Sequence, residues 1–318
     1  MRCLVFNAIA IKEGYDTSPQ LSRTHKSDVA GTYLKNAFVS LTSAKIKNPD
    51  IDVCLFVNFE VCDIFKSDFM EQGIEIKQIE FNNFLFPPSY IWALAYFKIN
   101  ALKYAIDNTT YDKYMLLDTD TYTISSYNDI WSECNNGILL FNVDHRLSHP
   151  HRNVIIDNME LVLGQGEKIT HYGGEFIAGS HKLLTVFLNE CLTIFGKMKN
   201  LELDRTLGDE FVISVAAHKL RKDLVSANCY IYRYWTNPTF YFVATNYINN
   251  SVDIWHLPAE KERGMLGLYN YFRKNKNFPN VRRSAKMLRL PSATPFLSYN
   301  IRRLIYRINL KLGSALDK

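Results

Sequence analysis

The stretch that most constrains this chain is Tyr114-Met115-Leu116-Leu117-Asp118-Thr119-Asp120-Thr121-Tyr122-Thr123. Four apolar or aromatic residues run directly into two carboxylates separated by one residue. The run Tyr114 to Leu117 is short and bounded by polar residues, so it reads as a buried strand. In an extended chain alternate side chains share a face, so Asp118 and Asp120 are expected to project together from the strand's end. Two carboxylates so close repel each other unless a cation or hydrogen-bond donors offset them. Oxygen ligands suit a hard divalent ion such as Mg²⁺ or Mn²⁺, which also binds phosphates. An isolated Asp-Thr-Asp is more often a turn, with the Asp side chains bonded to nearby backbone. What favours a ligand site here is position, because ligands collect at the carboxyl ends of strands in open α/β sheets.

The rest of the chain supplies that context. Cys3 to Ala8 reads as a first strand ending in Phe6-Asn7-Ala8, followed by a long polar loop from about 12 to 28. A helix is expected over 30–46, then a doubly buried strand Val53–Val57, a short helix over 60–71 and a strand over 74–81. Such alternation predicts an α/β fold with a mostly parallel sheet. Pro87-Pro88-Ser89 is expected to open a helix through Ile106, with Ser89 as its N-cap and Lys98 off the apolar face. After the carboxylates come a strand over 137–142, a helix around 153–163, and His171-Tyr172-Gly173-Gly174-Glu175-Phe176. Paired glycines permit close backbone approach to a ligand, or simply a tight turn or bulge. A helix over 181–198 is followed by one opening at Leu207-Gly208-Asp209-Glu210, where acids also suit the helix dipole. Residues 225–234 and 252–256 read as strands, the last ending in His256. His145, His149 and His151 read as part of a solvated loop rather than a metal site.

Composition excludes several classes. A chain of 318 residues with 47% hydrophobic content has ample core for one large domain. Six cysteines without a C-x-x-C pair argue against a zinc site or a disulfide framework, and Cys3, Cys54 and Cys191 read as core residues. With no apolar run of spanning length and no signal-peptide pattern, the expectation is a cytoplasmic protein. Residues 1–263 carry 25 Lys/Arg against 31 Asp/Glu, whereas residues 264–318 carry 12 against 1. That asymmetry predicts an acidic body with a basic tail. In the tail Ile301, Leu304, Ile305, Ile308 and Leu312 recur at helical spacing, with Arg302, Arg303, Arg307 and Lys311 between them. A basic amphipathic helix of this kind suits an anionic membrane surface, while the body lacks a basic groove for nucleic acid.

The order of these features resembles nucleotide-sugar glycosyltransferases of the GT-A type, over residues 1–262. The second half is most similar to the retaining blood-group A/B and α-1,3-galactosyltransferase family. The matching segments are Asp118-Thr119-Asp120, Gly173-Gly174-Glu175-Phe176 and Asp209-Glu210. The resemblance implies a single GT-A catalytic domain (1–262) with a nucleotide-binding half (1–120) and an acceptor half (121–262), plus a basic helical extension (263–318). It implies Mn²⁺ or Mg²⁺ on Asp118, Asp120 and, by likeness to the glycogenin-like group, His256; a His packed beside Trp255 is the other reading. Phe6, Asn7, Ala8, Lys98, Thr119 and Lys261 would hold the donor, a UDP-sugar. Gly173, Gly174 and Glu175 would line the sugar and acceptor space. Glu210 would act at the anomeric carbon in a retaining reaction, and Asp209 or Glu210 as base in an inverting one. The Gly-x-x-Lys-Pro arrangement that follows the His in that group is absent, although Lys261 lies near. The implied acceptor is a glycan or lipid-linked glycan of a bacterial surface polysaccharide, made at the inner face of the cell membrane. A sugar nucleotidyltransferase is a competing reading, but residues 9–30 lack the Gly-rich phosphate loop it needs. A non-catalytic membrane scaffold or glycan-binding protein is another.

Overall fold

The computed structural model describes residues 1–15, 21, 28–143, 150–164, 166–167, 170–201, 203–236, 252–290, 301, 304, 305 and 308. Its elements run β1 (Cys3–Ile9), α1 (Val29–Lys47), β2 (Asp52–Val57), α2 (Asp63–Glu71), β3 (Glu75–Gln78), α3 (Phe97–Asn108), β4 (Lys113–Leu117) and β5 (Thr121–Thr123). Then follow α4 (Asn128–Glu133), β6 (Ile138–Asn142), α5 (Pro150–Leu163), β7 (Tyr172–Ser180), α6 (His181–Met198), α7 (Asp209–Lys219), β8 (Leu224–Ser226), β9 (Ile231–Arg233), β10 (Ile254–His256), α8 (Gly264–Asn275) and α9 (Val281–Met287).

Seven strands form one sheet in the order β3-β2-β1-β4-β7-β6-β8. The β3, β2, β1 and β4 strands are mutually parallel, β7 runs antiparallel to both β4 and β6, and β8 is parallel to β6. The mostly parallel α/β sheet expected from the alternation is therefore present. Strand alternation splits the core cleanly between its two faces. Cys3, Val5, Val53, Leu55, Met115 and Leu117 pack on one side, while Leu4, Phe6, Cys54, Phe56, Tyr114 and Leu116 pack on the other. Both faces are covered, which is why these strands read as unbroken apolar runs. All six cysteines are free.

The second, three-stranded sheet has the order β5-β10-β9. Its short strands come from residues far apart in sequence, and it stands where β4 leaves the large sheet. Helix α8 lies against α1 through Tyr269 and Phe272, whose rings meet Phe38. The first part of the basic extension is thus docked on the body, tied by Arg273 to Asp68 and by Lys276 to Glu71. Ile301, Leu304, Ile305 and Ile308 are helical and remain exposed.

Three local expectations need correction. Ser89 caps no helix: residues 87–92 turn, Ile91 N–H bonds Arg205 carbonyl at 3.1 Å, and a 3-10 turn over Ala93–Tyr96 leads into α3. That long-range bond and the packing of Phe86 on Tyr90, Tyr96 and Phe195 override the local helical pattern. The strand expected over 225–234 is two strands in two sheets. A turn at Ala227–Tyr230, with Asn228 donating to and accepting from Asn142, separates them. The third strand is shorter than its apolar run, covering Glu75–Gln78 only. The polar loop after β1 and the histidines at 145 and 149 lie largely outside the described residues.

Candidate active site

Strand β4 ends at Leu117, and residues 118–120 form a turn rather than more strand. The carboxylates converge through that turn, not through strand alternation. Several contacts hold it. Asp118 N–H bonds the Glu175 carbonyl at 2.9 Å, continuing the ladder to β7. Asn7 donates to the Leu117 carbonyl at 2.7 Å, and Thr121 Oγ1 donates to the Asp118 carbonyl at 2.9 Å. Leu257 N–H bonds the Asp120 carbonyl at 2.9 Å, which brings the end of β10 alongside. In the small sheet His256 pairs with Thr121 on one side and Arg233 on the other. Paired residues point to one face, so this register delivers His256 and Arg233 together.

Asp118, Asp120 and His256 each offer a ligand atom within 4.8 Å of the others. His256 Nε2 lies 3.4 Å from Asp120 and 3.6 Å from Asp118, and Nδ1 lies 3.2 Å from Glu175 Oε1. Lys261 Nζ meets Asp120 at 2.5 Å, and its backbone carbonyl is held by Asn36 of α1 at 3.0 Å. Lys98 reaches Asp118 and Asp209 at 2.9 Å each and donates to the Gly174 carbonyl at 3.0 Å. Both aspartates thus meet cations of the protein itself.

Arg233 forms a second cluster. Its guanidinium grips both oxygens of Glu175 at 2.6 Å and donates to Glu210 at 2.7 Å. The other Glu210 oxygen lies 3.0 Å from His171 Nε2. Asp209 and Glu210 begin α7, where the dipole favours acids, and Gly208 precedes them under Trp92 with its carbonyl held by Tyr96 at 2.8 Å.

Gly173 and Gly174 lie inside β7, and their role is room. A Cβ on Gly173 would sit 1.8 Å from Glu175 Oε2 and 2.7 Å from the Arg233 guanidinium. A Cβ on Gly174 would sit 2.0 Å from Asp209 Oδ2 and 2.9 Å from Lys98 Nζ. What approaches the two glycines is the protein's own charged side chains.

Electrostatics separate the acids. Burial alone would raise Glu175, but Arg233 and His256 pull it down to about 2. Burial opposes ionisation of Asp120 and Glu210 too, yet Lys261 and His256 for the first, and Arg233 and His171 for the second, hold both below the usual carboxylate range. Asp209 goes the other way: burial lifts it to about 6, only partly offset by Lys98. Burial would depress His256, but the Asp120 and Glu175 carboxylates reverse this and push it to about 9. Lys98, Lys261 and Arg233 all stay charged, raised by their acids against the cost of burial.

Among the expected donor contacts, Phe6 is misplaced. Its ring is fully buried against Phe56, on the core side of β1, so it cannot stack on a base. The Asn7 amide is likewise buried and used on the end of β4. Glu175 does not line open space, because its side chain is fully buried and engaged by Arg233 and His256. Thr119 is buried within the turn, and Ala8 is partly exposed. On the same edge of the sheet, beyond β1, β2 and β3, a cavity of about 790 Å³ is lined by Ile11, Asn58, Gln78, Glu80, Phe81 and Asn82. Arg233 and His171 were not singled out by sequence. Arg233 sits in a three-residue strand with no motif around it, and only its partners reveal it.

No protein-family model matches the chain, and no curated protein matches it in sequence. Solved structures do share its fold. Mouse xyloside xylosyltransferase 1, in its apo form, superposes with a TM-score of 0.52 over 80% of this chain and 97% of that one, at 9% identity. The galactosyltransferase LgtC, in complex with donor and acceptor sugar analogs, gives 0.50 over 80% and 86%, at 12% identity. An active-site mutant of LgtC gives 0.50 over the same shares, at 13% identity. The chain therefore has the GT-A glycosyltransferase fold that its motif order led us to expect.

Proposed function

We infer that the chain is a metal-dependent glycosyltransferase that moves a sugar from a nucleoside-diphosphate donor, a UDP-sugar, to a glycan or lipid-linked acceptor. The observation that carries this reading is the convergence of Asp118, Asp120 and His256 on one another within the shared fold. The donor set fits a divalent ion. Two carboxylates with one imidazole suit Mn²⁺ better than the all-oxygen shell that Mg²⁺ favours. Once bound there, such an ion supplies Lewis-acid neutralisation of the leaving diphosphate.

The residues divide the remaining work. Lys261 and Lys98 flank the carboxylates and offer positive charge to phosphate oxygens. The cavity beyond β1–β3 takes the nucleoside end, with the partly exposed Phe81 in the stacking role that Phe6 cannot fill. Residues 1–120 then handle the donor and residues 121–262 the acceptor. Glu210, kept ionised by Arg233 and His171, is a weak base but a good stabiliser of, or nucleophile towards, an oxocarbenium-like centre. That state favours a retaining reaction. We assign to the extension at 263–318 the attachment of the enzyme to the inner face of a bacterial membrane, where lipid-linked acceptors for surface polysaccharide would be reached. The exposed stripe Ile301, Leu304, Ile305 and Ile308 supports this role; among the described residues no helix is long and apolar enough to cross a membrane.

The test is a panel of nucleotide sugars with Mn²⁺, read first as thermal stabilisation and then as transfer. Asp120→Asn is expected to keep its circular dichroism and lose transfer by about a hundredfold or more. Full transfer by a folded Asp120→Asn protein would refute the assignment.

A further inference from the structure

One continuous chain of contacts joins the two ends of the site. It runs from Asp118 and Asp120 to His256, then Glu175, Arg233, Glu210 and His171. Both Glu175 oxygens already accept from Arg233, so the ring nitrogen facing Oε1 is the donor. With Nδ1–H committed to Glu175, the ring presents Nε2 to the aspartate pair. A carboxylate behind a ligating histidine fixes both its tautomer and its ring angle.

Glu175 itself has one orientation available. Arg233 Nε and Nη2 take its two oxygens side by side, and the same Nη2 also reaches Glu210. The guanidinium is a planar fork, which a lysine's point charge cannot replace at two acceptors held at a set angle. The backbone makes space for this fork, since any side chain at Gly173 would collide with both Arg233 and Glu175. Arg233 is also anchored by strand register, because it lies beside His256 in the small sheet.

The geometry points to Arg233 as a positioning residue that couples the two halves of the site, setting His256 through Glu175 on one side and Glu210 directly on the other. Its role towards the metal and the sugar rests on the function proposed above. The Arg233 guanidinium meets none of Asp118, Asp120 and His256, and acts through the two glutamates it holds. Loss of the fork therefore loosens His256 and Glu210 together, although they serve different steps.

Arg233→Lys keeps the charge and removes the fork, and Glu175→Gln keeps the shape and removes the charge between Arg233 and His256. Two quantities are read for each full-length variant: Mn²⁺ affinity by electron paramagnetic resonance without donor, and the split between kcat and donor KM. Both variants are expected to weaken Mn²⁺ binding about tenfold or more. Arg233→Lys is also expected to lower kcat by a larger factor than it raises KM. A folded Arg233→Lys protein with wild-type Mn²⁺ affinity and wild-type kcat would overturn the proposal. If Arg233→Lys does not fold, unchanged Mn²⁺ affinity in Glu175→Gln overturns it as well. The two readings fail separately. Wild-type protein that binds Mn²⁺ but transfers no sugar defeats the enzymatic reading and leaves the affinity arm decisive. Wild-type transfer with Mn²⁺ affinity unmoved by either variant defeats the positioning role alone.

Discussion

Asp209 and Glu210 are neighbours in sequence with opposite electrostatic fates. Glu210 is held ionised by Arg233, whereas burial lifts Asp209 to about 6. An acid whose folded pKa lies above its unfolded value binds more protons when folded, so its contribution to stability falls as pH rises from about 4 to about 6. Asp209→Asn removes that slope. In metal-free buffer, urea unfolding at pH 4 and pH 7 should show the variant gaining on wild type by up to about 3 kcal/mol across the interval. Parallel pH profiles for the two proteins would mean that no such burial cost exists. At this scale sequence legibility is uneven. Asp118 and Asp120 stood out because carboxylates after an apolar run are unusual, and Lys261 because it lies close after His256. Arg233 and His171 could not be found that way. Their significance comes from register between short strands and from side-chain reach, neither of which leaves a local pattern. Phe6 shows the converse error, a strand-end aromatic that alternation turned inward.

At the scale of elements, α1 is the clearest case of a correct outline with a hidden interior. The spacing of Tyr33, Leu34, Ala37, Phe38 and Leu41 predicts a helix with one apolar face. The helix is in fact buried nearly all round, including Thr32, Asn36, Ser40, Thr42 and Ser43. It is packed between the large sheet and α8, and its small polar residues bond the site turn and the small sheet. Ser40 meets Thr121 at 2.7 Å, and Ser43 accepts from Thr123 N–H at 3.0 Å. Phe38 joins α1 to α2 and α8 by edge contacts with Phe69, Tyr269 and Phe272. Phe38→Ala should therefore cost about 3–5 kcal/mol in chemical denaturation, in the range for a large core truncation. A cost below about 1 kcal/mol would mean that α8 contributes little to the fold. The covering of α1 by α8 was invisible in sequence, because the basic residues of 264–290 read as tail. Arg273 and Lys276 are spent on Asp68 and Glu71 of α2 instead.

At the scale of the molecule, the parallel half of the sheet and the place of the carboxylates at its carboxyl edge were legible, because both follow from alternation of elements. The small sheet was not. Its strands are three residues each, and the apolar run across 225–234 hid the point where the chain changes sheets. The described residues of the extension differ on either side of about residue 290, with α8 and α9 packed on the body and Ile301, Leu304, Ile305 and Ile308 exposed. The full chain should sediment with vesicles containing anionic phospholipid and not with zwitterionic ones. Removal of residues 297–318 should abolish this while leaving thermal stability unchanged, each basic side chain near the lipid contributing about 1 kcal/mol. Sedimentation that survives the deletion would assign the membrane contact elsewhere.

The small sheet has a consequence for the order in which the protein is made. The last strand of the large sheet ends at Ser226, before Arg233, His256 or Lys261 has been synthesised. A growing chain at that length already carries Asp118, Asp120, Glu175, Asp209 and Glu210, with Lys98 and His171 to balance them. Domains generally fold as units. The acids of the cleft are thus synthesised first and its remaining cations last, on a segment that also brings the helix covering α1. Competence and closure arrive with the same late stretch of polypeptide, so a ribosome that releases the chain early releases a protein with neither.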